Sequence, residues 1–254
     1  DESSPPLLLY YIALRGEMGY PSAITAPTWG FQDVAFGKKP LKFTQGYGTY
    51  TMENILFKIS FPAEFHAQTA VEAAVTLHPY VVDRVDEVER IVIKTQESGD
   101  RIINKTGPLD NPADRDHCIQ YMVAIGLLKG DLQAEHYEDN VAADPRVDAL
   151  RDRMEVSEEE RFTREYLEAD KRAIGNSLQV FFKDGSATDE VIVDYPVGHR
   201  RRRDEGIPLL KIKFERYLRE KISAKKSDRI LALCADQESF ENATVTDMMG
   251  LLQC

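Results

Sequence analysis

Stretches of this chain combine residue types that move protons or hold carboxylates. In KISFPAEFH, Lys58 to His66, an ammonium, the Glu64 carboxylate and an imidazole fall close together. Such a set can serve general acid–base chemistry. Pro62 suits a first helical turn. A helix opening there puts positions 62 and 66 on one face, with Glu64 pointing elsewhere. The same residues also fit a structural role, with Glu64 favouring a helix N-terminus, Lys58 solvated and His66 at a polar edge.

In NPADRDHCIQYMVAIGLL, Asn111 to Leu128, the residues Asp114, Arg115, Asp116 and His117 crowd the mouth of an almost wholly apolar run. Asp114 or Asp116 can cap a helix. His117 and Tyr121 have the spacing of one helical face, which would offer two proton donors to a cleft. The structural alternative has an aspartate capping, Arg115 paired with an acid, and Tyr121 in the core with its hydroxyl reaching solvent. The polar density exceeds what capping alone requires.

In GHRRRRDEGIP, His199 precedes the consecutive arginines Arg200, Arg201, Arg202 and Arg203. Guanidinium donors match the carboxylates of a polycarboxylate substrate. The alternative is a solvated basic loop balanced by Asp204 and Glu205. Nucleophile elbow, phosphate loop, dinucleotide fingerprint and HExxH are all absent from the sequence. The histidines, at 66, 78, 117, 136 and 199, show no metal spacing.

These residues need elements to position them, and 254 residues suffice for a substantial core. The apolar fraction of 43% and charged fraction of 30% are those of a globular protein. A net charge of −11 argues against a nucleic-acid partner and weakly against an anionic membrane surface. The run LLLYYIAL, Leu7 to Leu14, is too short to span a bilayer. Cys118, Cys234 and Cys254 lie far apart, which points to a reducing compartment and away from a cysteine-held cluster.

Residues 15–50, rich in Gly and Pro, read as connector, and Tyr20, Trp29, Phe31 and Phe36 suggest that it packs against something. Helical spacing covers 62–78 and 114–129, the latter closed by Gly130. Val147, Leu150 and Met154 mark a short amphipathic helix after Pro145. VERIVIKT, Val88 to Thr95, reads as a strand. LQVFFKDGSATDEVIVDYP reads as a hairpin around Asp184-Gly185. Leu210, Phe214, Tyr217, Leu218 and Ile222 begin a helical tail, so the texture changes near residue 200.

The segments GEMGYPSAITAPTWGF, ENILFKISFPAEFHAQTAVEAA, NPADRDHCIQYMVAI and YPVGHRRRRDEGIP resemble the MmgE/PrpD family of 2-methylcitrate dehydratases. The resemblance runs in order from about residue 13 to the C-terminus, and residues 1–12 depart from it. It implies an α+β lid domain, with a small mixed or antiparallel sheet and helices, flanked by helical segments of an all-helical domain. On this division residues 1–50 end the helical domain, 51–200 form the lid and 201–254 return to the helical domain.

The implied reaction is dehydration of 2-methylcitrate to 2-methyl-aconitate in propionate catabolism, without metal or other cofactor. Sister activities are isomerisation or cis-aconitate decarboxylation, and a truncated non-catalytic fragment is a further alternative. Carried over by position, Lys58 and Tyr121 are the leading catalytic candidates, followed by His66, Asp116 and His117. His199, Arg200, Arg201, Arg202, Arg203 and Arg115 are candidates for binding the tricarboxylate. The complete enzyme is expected to be an intracellular homodimer, cytoplasmic or in the mitochondrial matrix. A lone half should expose apolar helix faces, including that of 210–222, and self-associate.

Overall fold

A computed structural model of the chain describes residues 4–17, 19–40, 42 and 55–253. They belong to two compact units, Asp1–Met52 and Glu53–Cys254. The boundary expected near residue 50 falls outside the described residues.

The first unit contains helix α1, Ser4–Leu14, and the short helix α2, Phe31–Ala35. Leu7, Leu8, Leu9, Tyr10 and Tyr11 of α1 are all exposed. Gly30 precedes α2 at a close approach, since an added Cβ would lie 2.4 Å from the Ala26 carbonyl oxygen. Tyr20 and Trp29 are 89% and 85% exposed, and Phe31 and Phe36 meet edge to face at 5.5 Å.

The second unit opens its helical part later than Pro62. Helix α3 spans Gln68–Val81 after a 3₁₀ turn, Phe65–Ala67. The reason is hydrogen bonding, part of it from a distant element. The Tyr137 hydroxyl donates to the Pro62 carbonyl at 2.9 Å, and Gln68 Nε2 donates to the carbonyls of Phe61 and Ala63. Those carbonyls are thereby diverted from helical partners.

Strand β1, Val88–Thr95, follows, then helix α4, Glu97–Ile103, and the short helix α5, Pro112–Arg115. Helix α6 is Ile119–Lys129, α7 is Asp139–Ala142 and α8 is Pro145–Arg151. Strand β2, Met154–Glu158, helix α9, Glu160–Leu167, strand β3, Asn176–Phe182, and strand β4, Val191–Val193, complete the α+β part. Met154 thus begins a strand instead of extending α8.

The sheet is small and mixed, with order β2-β1-β3-β4. β1 pairs parallel with β2, Ile91 opposite Met154, and antiparallel with β3, Ile93 opposite Leu178. β3 and β4 form the expected hairpin, and Gly185 takes the positive φ of 83° that its turn requires. Ile91, Ile93, Leu178 and Val180 join Val71, Leu77, Ile125 and Leu127 of the helices in one core.

Helices α3 and α6 approach closely because small residues face each other. A Cβ on Gly126 would lie 2.8 Å from the Ala74 Cβ. Gly130 ends α6 with φ 67°, in the left-handed conformation. The chain closes with α10, Arg203–Lys221, α11, Ala224–Ala235, α12, Gln237–Asn242, and α13, Val245–Leu252. On α10, Leu209, Ile212, Phe214 and Tyr217 are exposed, as are Val245 and Met249 of α13. Among the described residues no helix is long and apolar enough to cross a membrane.

Candidate active site

Glu64 organises the first cluster. It caps the 3₁₀ turn, its Oε2 accepting from the His66 N–H at 2.7 Å. Its Oε1 meets His66 Nδ1 at 2.8 Å. The expectation that Glu64 points away from His66 is therefore corrected, because the turn is not an α-helix opened by Pro62 and the carboxylate folds over it. On the far side of the ring, Nε2 faces the Tyr166 hydroxyl at 3.4 Å. Burial opposes charge on Glu64. The hydrogen bonds of His66, and the charges that His66 and His117 carry when protonated, outweigh it and hold the carboxyl below the usual carboxylate range.

Lys58 is exposed, and its Nζ lies 5.0 Å from the centre of the Phe65 ring. From the other segment, the Asp116 carbonyl accepts from the Glu64 N–H at 3.4 Å. Asp116 Oδ1 meets His117 Nδ1 at 2.5 Å, with the imidazole half-exposed. The structure thus brings Lys58, His66, Asp116 and His117 onto adjoining segments.

Tyr121 is not on a shared helical face with His117, and that expectation is corrected. Cys118 is extended, with φ −125° and ψ 108°, and divides the expected helix into α5 and α6. Asn111, not an aspartate, caps α5 through its side-chain acceptance from the Asp114 N–H. His117 lies before α6, while Tyr121 is only 2% exposed and donates its hydroxyl hydrogen to the His136 carbonyl at 2.6 Å.

Tyr121 instead lines a separate recess of about 720 Å³ with Arg115, Arg151, Asp110, Asp139 and Asp148. Burial pushes its phenol up to about 12, against the opposing charges of Arg115 and Arg151, so it stays protonated near neutral pH. Arg115 is buried. It donates to the Tyr137 carbonyl at 2.6 Å and pairs with Asp139 at 2.8 Å. Tyr137 connects the regions, its ring stacked 6.0 Å from that of Tyr121 and its hydroxyl on Pro62.

The arginine run faces protein acceptors. Arg200 donates to the Asp170 carbonyl. Arg201 does so at 3.2 Å and lies over the Tyr195 ring. Arg202 pairs with Glu72 and Glu205, and Arg203 donates to the Ile55 carbonyl at 2.6 Å. His199 is 1% exposed and its Nδ1 accepts from the Arg201 N–H at 3.1 Å. Burial pulls the imidazole down to about 4, with the Arg200 and Arg201 charges acting the same way and backbone hydrogen bonds opposing, so it is neutral near pH 7. Among the described residues, no group of three or more His, Cys, Asp or Glu is placed to hold a metal ion.

The sequence reading missed Tyr166, Tyr137 and Arg151. No local spacing points to Tyr166, which meets His66 from 100 positions away.

The model of the MmgE/PrpD C-terminal domain matches residues 61–237. The chain is 52% identical over 254 residues to a 2-methylcitrate dehydratase of Cupriavidus necator, covering 99% of this chain and 52% of that protein. It is 50% identical to a 2-methylcitrate dehydratase of Escherichia coli (strain K12), covering 99% and 53%. It is also 50% identical to a protein of Yarrowia lipolytica named as a mitochondrial 2-methylcitrate dehydratase, covering 99% and 48%. The chain spans about half the length of these relatives.

Proposed function

This chain belongs to the MmgE/PrpD family, and from that premise we propose that it carries part of the acid–base machinery that dehydrates 2-methylcitrate to 2-methyl-aconitate. Dehydration takes a proton from carbon beside a carboxylate and expels hydroxide, so it needs a base, an acid and cations for the carboxylates. The observation that carries the reading is the meeting of two imidazole–carboxylate pairs, Glu64–His66 and Asp116–His117, tied by the Glu64 N–H to the Asp116 carbonyl.

In this reading the Glu64–His66 pair supplies proton-transfer capacity to the site, Asp116 orients His117 beside it, and the exposed Lys58 ammonium holds a substrate carboxylate. Tyr121 has committed its hydrogen to His136 and offers lone pairs to the recess. Arg115 and Arg200 to Arg203, each held by protein acceptors, contribute positive charge to the field that the tricarboxylate meets, and the buried His199 props the arginine run. The chemistry is proton transfer between side chains, without a cofactor. The setting in propionate catabolism, inside the cell, and a homodimeric assembly follow from the family resemblance.

Because the chain spans half the length of its relatives, the proposal assigns turnover to a polypeptide that also supplies the remaining region. The same coverage favours a second reading, in which this segment alone is a structural module without activity. The test incubates 2-methylcitrate with the chain alone and with the chain joined to the N-terminal region of a relative. The conjugated C=C product is followed by ultraviolet absorbance. Product from the joined protein is expected. No product from a folded joined protein would overturn the proposal, as would preferential CO2 release from cis-aconitate.

A further inference from the structure

Tyr166 has no assigned role, yet it completes a line of contacts. The Glu64 carboxylate meets His66 Nδ1 at 2.8 Å, and His66 Nε2 meets the Tyr166 hydroxyl at 3.4 Å. A carboxylate on Nδ1 fixes the tautomer that carries its hydrogen there and leaves Nε2 as an acceptor. The phenol is then the donor to Nε2. This is the carboxylate–imidazole–hydroxyl order of a hydrolytic triad, with a phenol at the end.

The parts are held from separate elements. The buried Asn176 of β3 donates through Nδ2 to the His66 carbonyl at 2.8 Å and to Thr69 Oγ1 at 2.6 Å. Thr69 in turn donates to the Ile174 carbonyl at 2.6 Å. Helix α9, which carries Tyr166, is anchored by the buried Phe162. Its ring sits so close to Gly175 that a Cβ there would lie 2.4 Å away. A buried asparagine that fixes the histidine backbone and a glycine that admits the neighbouring helix are the support a proton-transfer geometry needs.

We propose that Glu64, His66 and Tyr166 form a proton relay whose working end is the Tyr166 hydroxyl, with Glu64 and His66 as positioning residues. The inference rests on the dehydratase reading. The Tyr166 oxygen takes the proton from the carbon beside the substrate carboxylate as its own proton passes to His66 Nε2. The C–H electron pair becomes the C=C bond as the C–O bond breaks. The departing hydroxide recovers a proton from Tyr166, which is refilled from Nε2. One water leaves and the relay returns to its starting state.

The test has two arms. In the chain labelled with nitrogen-15 at histidine, the His66 ring signals should show hydrogen on Nδ1. Glu64→Gln should mix the tautomers, and Tyr166→Phe should move the Nε2 signal alone. Ring signals unchanged in both variants would overturn the relay. In the joined protein, Tyr166→Phe should lower kcat for 2-methylcitrate about 100-fold with KM unchanged. Full kcat in Tyr166→Phe beside an active parent would overturn the relay and leave the dehydratase reading standing. An inactive, folded parent would sink the dehydratase reading and the relay's chemistry with it, whatever the ring signals show.

Discussion

Arg202 grips Glu72 with both terminal nitrogens, Nη1 on Oε2 and Nη2 on Oε1, each at 2.9 Å. The same guanidinium holds Glu205 and the Tyr195 carbonyl. Burial opposes its charge, but the two carboxylates outweigh burial and raise its proton affinity. One arginine of a run that reads as a substrate clamp thus ties the start of α10 to α3. Arg202→Ala should destabilise the chain by about 2 kcal/mol, since it strands Glu72 and the Tyr195 carbonyl. Arg202→Lys should recover only part, because an ammonium cannot make the two-pronged contact. Chemical denaturation checks this, and unchanged midpoints in both variants would show the tie to be idle.

His199 gives a pH dependence with a defined sign. Its folded value near 4 lies below the ordinary value of 6.5. The unfolded chain therefore binds the proton first as pH falls. The stability is fully present above about 6.5 and is lost progressively toward pH 4, by at most about 3 kcal/mol. His199→Asn keeps an acceptor for the Arg201 N–H and removes the titration. The fall in Tm between pH 6.5 and 4 should be shallower in the variant. An identical pH profile would contradict the assignment.

Gly126 offers a test of helix packing in which two effects oppose. Replacing a mid-helix glycine by alanine ordinarily stabilises by about 1 kcal/mol. Here the new Cβ would lie 2.8 Å from the Ala74 Cβ, and overpacking of this kind costs about 1–3 kcal/mol. Gly126→Ala should therefore be neutral or destabilising and Gly126→Val clearly destabilising. A more stable Gly126→Val would refute the close approach of α3 and α6.

Tyr121→Phe removes the donor to the half-buried His136 carbonyl and should cost about 1 kcal/mol of stability. In the joined protein it should also lower dehydration sharply. Unchanged kinetics would remove Tyr121 from the mechanism.

The exposed apolar residues of α10 and α13, including Ile212, Phe214, Val245 and Met249, should drive self-association of the isolated chain. Sedimentation at rising concentration checks this. A persistent monomer would count against it.

Much of the framework is legible in the sequence because it depends on neighbours along the chain. The β-branched run at Val88–Thr95, the Asp184-Gly185 turn, the Gly130 helix end and the apolar spacing after residue 203 each carry their own local signal, and each forms where expected. The residue types for acid–base chemistry and the family are also readable from the chain itself. The tertiary structure decided which side chains meet. His66 finds Tyr166 across 100 positions, and Arg202 finds Glu72 across 130. The extended Cys118 parts His117 from Tyr121 where the pattern reads as one helix. The Pro62 carbonyl is claimed by Tyr137, 75 positions away, and the helix start moves to Gln68. Periodicity reports which face a residue takes on one element. Hydrogen bonds between distant elements settle where that element begins and what its polar atoms touch, and those partners are fixed only when the core closes.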